Sequence, residues 1–421
     1  CGMNILMITQ EFPPTQMGGA EMQCLKQARA LVQRGHAVTV ITRWLNGKVP
    51  RHEIMDGVKV FRMGWLLPFT MKMRRVHDNL VSLKPGSGGR LYRHGAPQSI
   101  APQGKEKRFR WMSLVERPGA WSFLQEVTAG VRSGRLAPDL IHVHETNWIA
   151  GFAQWLGEQI QVPVFCKEGL LPVLGFGGAA DIPRQAEWRQ RRMKCHFIAM
   201  TPAIADALST AGIPANQISD IPNGVDIPEI PAEPARHADV LYVGNFTQGA
   251  AHKGFDILFR AWGRAVAQEP GMRLRLCGAG ETSGWQSYAR EQGCGDSVIF
   301  EGRIENIGIM HRQAGCLVLP SRKEGISNAL LEAQAAGLPA VVSDIPGNLV
   351  VVRDGENGIV VPVGDVEALA YALIRLFRSP ELRADMGRAA RTRMAEYFAI
   401  EKVAAQLEAV YTAHLADTKR T

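Results

Sequence analysis

Two glutamates, Glu324 and Glu332, lie eight positions apart in a segment that reads as a loop turning into a helix. Ser327 suits the N-cap position, where its hydroxyl could bond an unpaired amide of the first turn. The helix is predicted to pass Glu332 and to end at Gly337, with Pro339 just beyond it. The unpaired N–H groups and the positive dipole end of such a helix suit a phosphate. Acids on both sides of that helix start predict a nucleotide-sugar site, one for sugar hydroxyls and one for ribose hydroxyls.

The elements around this pair strengthen the prediction, because glutamates are common on helices and their spacing alone is a weak signal. An apolar strand is predicted over 315–319, and a second apolar segment follows the helix over 337–344. The order strand, loop, helix, strand places the pair at the carboxyl end of a parallel strand. Open α/β sheets bind their ligands at that edge.

Four further residues carry weaker chemical signals. Gly18 and Gly19 lie between the first predicted strand and the first helix and would allow an anion close to the backbone, although a turn shaped only for packing explains them equally well. Lys253 begins a helix, where it meets the positive dipole end, and an anion between them would relieve that repulsion. His144 ends a predicted strand, Asp139–His144, on the side of a ligand crevice, although a lone strand histidine is more often a core residue.

Composition bounds the class of protein. The chain has 421 residues, of which 46% are hydrophobic and 21% charged, and this length favours two domains. No apolar run approaches a membrane span, and no signal peptide is visible before the first strand. The seven cysteines are scattered without a C-x-x-C pair, which indicates buried free thiols in a reducing compartment. We therefore expect a cytoplasmic protein.

The net charge of +8 is unevenly distributed. Residues 1–226 contain 27 Lys+Arg against 17 Asp+Glu, and residues 227–421 contain 21 against 23. A basic first half favours an anionic partner such as an acidic lipid headgroup or a phosphorylated acceptor. The basic residues follow no zinc-finger, helix-turn-helix or RNA-binding pattern, so we do not expect a nucleic-acid partner.

The order of predicted elements describes two α/β halves. Residues 1–225 form an N-terminal Rossmann-like domain, in which residues 66–120 receive no confident structure. The proline-rich stretch 226–238 is a linker, and a second α/β alternation follows over 239–397. The last segment, 398–421, is a helix that could pack back on the first domain. Two doubly wound parallel-sheet domains facing each other are the simplest architecture.

The motifs in series resemble the retaining glycosyltransferases of family 4, which have the GT-B fold. The resemblance covers nearly the whole chain, and its motifs are the following: Pro-Pro…Gly-Gly-Ala-Glu near the start, His-Val-His-Glu (142–145), Ile-Pro-Asn-Gly-Val-Asp (221–226), Val-Gly-Asn-Phe…His-Lys-Gly (243–254), Glu-Gly…Glu (324–332) and Arg-Asp-Gly-Glu-Asn-Gly-Ile-Val-Val-Pro-Val-Gly-Asp (353–365). It implies two Rossmann-like domains facing across a cleft, with the acceptor in the first domain and the nucleotide sugar in the second.

The resemblance also implies roles for single residues. Glu324 would hold hydroxyls of the donor sugar, Glu332 would take the ribose hydroxyls, and Lys253 would neutralise the leaving oxygens. His144 would touch the sugar or diphosphate near the reacting carbon, which makes Glu324, His144 and Lys253 the predicted catalytic residues. The remaining donor-binding residues would be Gly18, Gly19, Asn245, Ile304, Gly325, Ile326, Ser327, Asn328 and Ala329.

One position departs from the family pattern. Members commonly have an arginine where this chain has Asn245, and its loss removes a bidentate phosphate donor. Arg303, Arg322 or Lys323 could substitute for it, and the sequence does not choose among them.

The reaction implied is transfer of a sugar from a nucleotide diphosphate donor, UDP first and GDP or ADP next, with retention at the anomeric carbon. The acceptor would be lipid-linked, a glycan or a small molecule. No D-x-D occurs, so we expect neither a metal nor a cofactor besides the donor substrate. The segment 65–75 mixes apolar and cationic residues and predicts weak peripheral binding at the inner face of a membrane.

Three other functions remain open at this point. A glycoside hydrolase also needs paired carboxylates, but it needs them facing each other across a bond. An oxidoreductase is disfavoured because the chain lacks G-x-G-x-x-G after its first strand. A non-catalytic relative that binds sugar nucleotides is conceivable because of Asn245.

Overall fold

The computed structural model describes residues 2–14, 18–69, 72, 105–144, 146–173, 185–246 and 250–418. The chain divides into two compact units. The first contains residues 1–168, 174–198 and 411–421, and the second contains residues 169–173 and 199–410. Each unit is described by itself below.

The first sheet has eight strands in the order β3-β4-β2-β1-β5-β6-β7-β8. Its strands are β1 (Asn4–Ile8), β2 (Ala37–Arg43), β3 (His52–Met55), β4 (Val58–Met63), β5 (Leu140–Val143), β6 (Val164–Glu168), β7 (His196–Ala199) and β8 (Ile218–Asp220). Strands β4, β2, β1, β5 and β6 run parallel, and β3 is antiparallel to β4. Strand order reverses between β1 and β5, which is a topological switch point of a doubly wound sheet.

The helices of residues 1–210 are α1 (Gly19–Gln33), α2 (Lys105–Arg132), α3 (Trp148–Ile160), α4 (Gln185–Arg192) and α5 (Pro202–Thr210) among the described residues. Helix α3 begins at Asn147, whose side-chain oxygen accepts a hydrogen bond from the Ile149 amide at 2.9 Å. The strands β5, β6 and β7 are buried at every position. Such continuous apolar runs are typical of parallel strands covered on both faces.

The second sheet is wholly parallel and has six strands in the order β11-β10-β9-β12-β13-β14. The strands are β9 (Val240–Val243), β10 (Leu274–Cys277), β11 (Val298–Gly302), β12 (Cys316–Leu319), β13 (Ala340–Ser343) and β14 (Gly358–Val361). Its switch point lies between β9 and β12.

The helices from residue 250 onward are α6 (Phe255–Gln268), α7 (Ser283–Glu291), α8 (Ile307–Arg312), α9 (Asn328–Ala336), α10 (Pro346–Val351), α11 (Val366–Arg378), α12 (Pro380–Arg393) and α13 (Ile400–Thr418). A short 3-10 turn, Ala250–Lys253, precedes α6, and a π-helical turn, Met394–Phe398, precedes α13. One apolar core, which includes Leu241, Phe255, Trp262, Leu330 and Leu373, holds this unit together. No helix among the described residues is long and apolar enough to span a bilayer.

Two features of the first unit were not predicted. Strand β3 is joined to β4 by a turn at Asp56 and Gly57, whose φ angles are positive at 50° and 82°. Helix α2 begins at Lys105 and includes Pro118, so its first part lies within residues 66–120, where no long helix was predicted. The six described cysteines are free and buried, as expected from their spacing.

Candidate functional site

The loop from Pro320 to Ser327 connects a fully buried strand, β12, to helix α9 and carries most of the predicted donor residues. Helix α9 ends at Gly337 in the left-handed region with φ 92°, as predicted. Ser327 occupies the N-cap position with extended backbone (φ −70°, ψ 125°) but makes no capping hydrogen bond through its side chain. The predicted hydroxyl–amide bond was therefore wrong, and the first turn of α9 keeps the backbone donors that suit an anion.

Lys253 and Glu324 form an ion pair. The Lys253 ammonium donates to Glu324 Oε1, and the Ser321 hydroxyl donates to the same oxygen at 3.2 Å. The two side chains are only 24% and 12% exposed, so water screens the pair weakly. The anion that the lysine at a helix start predicts is, in this structure, the carboxylate of Glu324. The structure thus brings together two of the three predicted catalytic residues.

Close backbone contacts explain why this pair is held so near the helix start. A Cβ on Gly254 would lie 2.1 Å from the Pro320 carbonyl oxygen, and Gly254 has a φ of 74°. A Cβ on Gly347 would lie 1.8 Å from the Gly325 carbonyl oxygen. Only glycine allows these approaches, and they press the loop against the starts of α6 and α10.

Asn223 also holds the loop, and sequence reasoning missed this role although it quoted the motif around the residue. Its buried side-chain nitrogen donates to the Ile326 carbonyl at 3.2 Å and to Asn328 Oδ1 at 3.5 Å. On the other side of the loop, the Ser343 hydroxyl donates to the Ser321 carbonyl, and Asn348 Nδ2 donates to the Ser343 carbonyl at 2.9 Å. Side-chain amides and hydroxyls therefore fix the loop that carries Glu324.

Tyr242 is a second neighbour that the sequence did not reveal. It is fully buried at the end of β9, and its hydroxyl makes no hydrogen bond to any described residue. Burial raises the pKa of this phenol, and the negative charge of Glu324 raises it further. The hydroxyl therefore stays neutral and remains a donor beside the carboxylate.

The three cations proposed as substitutes for the family arginine differ in their surroundings. Arg322 forms two hydrogen bonds to Asp256, at 2.8 Å and 2.6 Å, and the pKa of its guanidinium is raised by them. Its donors are thus directed to the first turn of α6. Arg303 and Lys323 are exposed.

Asn245 contacts the neighbouring loop of the same sheet. Its side-chain oxygen accepts a hydrogen bond from the Ala279 amide at 3.2 Å, and the Phe246 amide donates to the Ala279 carbonyl at 2.7 Å. This residue joins the loops after β9 and β10, a role that an arginine would not fill with the same atoms.

Glu332 lies on α9 near His311 of α8. Burial lowers the pKa of His311 to about 4, and the charge of Glu332 opposes that shift. Ile304 precedes α8 and packs partly buried against the core of this unit. The contacts of Glu332 with a ribose and of Ile304 with a base stay predictions.

The predicted residues of the first unit are Gly18, Gly19 and His144. Gly18 is the N-cap of α1 and, like Gly19, is exposed. A Cβ on Gly18 would lie 2.5 Å from Glu21 Oε2, so this carboxylate folds back over the start of its own helix. Glu21 already complements the dipole there.

His144 follows β5 and is 4% exposed. Its ring stacks on His142 with centroids 4.5 Å apart, and neither ring nitrogen is hydrogen-bonded to a described residue. Burial, followed by the charge of His142, lowers its pKa well below the usual value, so the imidazole is neutral. Its neighbour Glu145 lies outside the described residues.

Comparisons with known proteins identify the family of this chain. Residues 17–229, just over half of the chain, match the model for Glycosyltransferase Family 4. The chain belongs to glycosyltransferase family 4. Residues 237–379 match the model for glycosyl transferases group 1, so both halves of the family 4 chain are covered.

Relatives extend over the whole chain. A glycogen synthase of Mycobacterium tuberculosis is 25% identical over an alignment of 453 positions, gaps included. The alignment covers 98% of this chain and 95% of the relative. The sucrose-phosphate synthase of Thermosynechococcus elongatus superposes with a TM-score of 0.70 at 22% identity, covering 99% of this chain and all of that one. HepE of Anabaena, solved with UDP, gives a TM-score of 0.66 at 16% identity, covering 98% and 100% of the two chains. The predicted GT-B fold and hexosyltransferase-type enzyme class are confirmed, and the hydrolase, oxidoreductase and non-catalytic alternatives are set aside.

Proposed function

We propose that this glycosyltransferase moves a sugar from a nucleotide diphosphate sugar, UDP-linked first and GDP- or ADP-linked next, with retention at the anomeric carbon. The observation that carries the proposal is the Lys253–Glu324 pair beside the start of α9. Glu324 would orient sugar hydroxyls, and the amides of residues 325–329 would receive the diphosphate. The UDP bound to HepE supports a uridine donor.

The leaving group is the part of the reaction that these residues can stabilise. Negative charge grows on the diphosphate as the sugar bond breaks, and fixed amides with a lysine ammonium stabilise such charge without reorganising. The departing oxygen would take the acceptor proton on the same face, which retains configuration. We propose a metal-independent reaction, since the chain contains no D-x-D motif.

The acceptor is proposed to bear an anionic group. Residues 1–226 contain 27 Lys+Arg against 17 Asp+Glu, which attracts anions. The name sucrose-phosphate synthase indicates a phosphorylated product for that relative. A phosphorylated small molecule, a glycan or a lipid-linked glycan would each fit this description.

Peripheral contact with an anionic membrane remains part of the proposal for a cytoplasmic enzyme. Trp65 and Phe69 are 55% and 64% exposed, and Lys72 beside them is exposed. Residues 70, 71 and 73–75 of this segment lie outside the described residues. Co-sedimentation with anionic vesicles at low salt, absent in a Trp65→Ser/Phe69→Ser variant, is the expected result, and equal pelleting of both proteins would contradict it.

The donor is tested by thermal shift with UDP, GDP and ADP and then with their sugar conjugates. Stabilisation by one nucleotide, lost in Lys253→Met, is the expected result. Incubation of that sugar nucleotide with candidate acceptors in EDTA, followed by NMR of the product, reports both anomeric configuration and metal dependence. An inverted product or full loss of turnover in EDTA would overturn the corresponding part of the proposal.

A further inference from the structure

Four polar residues form a row across the centre of the first sheet. Ile8 lies opposite both Ile41 and Val143, and Val143 lies opposite Cys166. The next residue of each strand therefore falls in one line at the carboxyl end, with Thr9 N bonded to Ile41 O and His144 N to Ile8 O. The polar row consists of Thr42, Thr9, His144 and Lys167.

These side chains share one face of the sheet, since side chains of a strand alternate between faces. His142 and Phe165, two residues before His144 and Lys167, both contact Tyr411 of α13. The charge of Cys24 on α1 acts on both Lys167 and Tyr411. The polar row therefore points to the face that α1 and α13 cover.

The row is buried and its polar atoms lack partners. Thr9 is 0%, Thr42 1%, His144 4% and Lys167 5% exposed. Within the described parts of the chain, no hydrogen bond reaches Thr9 Oγ1, Thr42 Oγ1, either ring nitrogen of His144 or Lys167 Nζ. The side chain of Gln27 on α1 is likewise buried without a partner.

Such a concentration of unpaired groups is costly in an apolar core, where each one loses its hydration. Buried polar groups in folded proteins nearly all have partners, so a row of unpaired ones indicates an occupant. The row also lies at the switch point between β1 and β5, where doubly wound sheets bind ligands.

We propose that the polar row binds an oxyanion of the acceptor, a phosphate or a carboxylate, with Lys167 as its counter-charge. This inference rests on the proposed function for its acceptor, but the binding itself can be measured without turnover. The row offers two hydroxyls, an ammonium and an imidazole, and Gln27 of α1 adds an amide; all of these can donate to oxygen. Among the described residues, the titratable groups that act on Lys167 and His144 are Cys24 and His142, and neither is a carboxylate that would already neutralise Lys167.

The charge of Lys167 links anion binding to pH. Burial lowers the pKa of Lys167 to about 7, and the thiol of Cys24 opposes the shift slightly. An oxyanion next to the ammonium favours the charged form, so binding is accompanied by proton uptake above pH 7. Anion affinity should therefore fall as pH rises from 7 to 9.

The test uses the full-length protein and thermal shift with sodium sulfate, whose charge is constant over this range. Sodium phosphate and sodium acetate separate tetrahedral oxyanions from carboxylates. At ten times the dissociation constant, the wild type should melt about 3 °C higher at pH 6.5. Sulfate also stabilises proteins by exclusion from their surfaces, so each shift is compared with that of Lys167→Met.

Matched variants distinguish this site from the donor site. Lys253→Met should keep the anion response, and Lys167→Met should lose it. Lys167→Arg, whose charge does not titrate, should keep the sulfate response at pH 9, where the wild type loses most of it. A response that disappears in Lys253→Met but persists in Lys167→Met would place the anion at the donor site and overturn the proposal. No difference between wild type and Lys167→Met with any of the three anions would overturn it too, whatever the enzyme's transfer activity.

Discussion

The two sheets carry polar groups at the same topological position and treat them differently. At the switch point of the second sheet, Glu324 pairs with Lys253, and Ser321 bonds to the same carboxylate. At the switch point of the first sheet, Lys167 and His144 are more deeply buried, and no described residue is hydrogen-bonded to their side-chain nitrogens. In the second sheet a carboxylate neutralises the lysine, whereas in the first sheet no described carboxylate is paired with Lys167.

This difference has consequences for ligand binding at the carboxyl edge of each sheet. Glu324 pairs with Lys253 and compensates its charge in this structure. Under the proposed function, the Lys253 ammonium would turn to the diphosphate when the donor binds. The polar row has no such internal substitute, so its stability and its affinity should both depend on what enters it. Breaking one partner at each edge should therefore have different consequences.

Replacing Glu324 should give the largest effect, and that effect should be on catalysis. Glu324→Gln keeps the shape of the side chain but removes the charge that pairs with Lys253 and that, under the proposed function, orients the donor sugar. We expect kcat to fall roughly 100- to 1,000-fold, which is the range for removal of one preorganised electrostatic group. The control is Glu291→Gln, an exposed glutamate at the end of α7, which should retain full turnover. Near-normal transfer by Glu324→Gln would remove this residue from the mechanism.

Replacing Lys167 should mainly change stability, and in the favourable direction. The folded-state pKa of Lys167 is about 7 against 10.5 for the unfolded chain. Between these values the unfolded state binds more protons, so the free energy of unfolding rises with pH across this window. The free-energy cost of keeping Lys167 buried has its full size below pH 7 and is absent above pH 10.5. Its slope is at most about 1.4 kcal/mol per pH unit.

Lys167→Met should therefore be more stable than the wild type at pH 7, and its advantage should shrink from pH 7 to 9.5. Urea denaturation of both proteins at half-unit pH steps measures the difference between their free energies of unfolding. Groups that titrate alike in both proteins cancel in this difference. A difference that stays constant with pH would mean that Lys167 is charged throughout and has a partner.

The sequence predicted the second half well because its strands are short apolar runs between polar loops. The strand predicted over 315–319 is β12 (Cys316–Leu319), and the Glu324 loop was placed before the correct helix. In the first half, helix α3 and strand β8 were missed. Helix α3 is buried over most of its length, so an amphipathic stripe does not stand out in its sequence. The hairpin β3–β4 could have been found from Asp56-Gly57, a strong turn signal.

The site was predicted in its residue types but not in its pairings. The ion pair joins positions 71 residues apart, and Tyr242 reaches Glu324 from another strand. The polar row depends on the strand order β2-β1-β5-β6, because only that order aligns Thr42, Thr9, His144 and Lys167. Periodicity within one strand contains no information about which strand lies beside it.

A smaller effect is expected at Asn223, whose side chain holds the loop that carries Glu324. Asn223→Ala removes the donor to the Ile326 carbonyl and should cost about 1–2 kcal/mol of stability, since a buried acceptor loses its partner. We also expect a several-fold lower kcat, because the loop that positions Glu324 loosens. Asn223→Asp is the informative companion, since it keeps the shape but removes the side-chain donor. Calorimetry and steady-state kinetics on both variants would contradict this role if Asn223→Asp behaved as the wild type.

The Lys253–Glu324 pair itself should give the smallest effect, seen as a coupling free energy. A double-mutant cycle on the free energy of unfolding, with Lys253→Met and Glu324→Gln, should give a coupling free energy of about 1 kcal/mol, because the side chains are largely shielded from water. The Arg322–Asp256 pair is the matched control. Its side chains are 39% and 43% exposed, so its coupling should stay below about 0.5 kcal/mol despite two good hydrogen bonds. Raising the salt concentration should weaken the control pair more than the buried one. If the two coupling free energies were equal, shielding from water would not strengthen the Lys253–Glu324 pair. The difference between this pair and the polar row would then lie only in their hydrogen-bond partners.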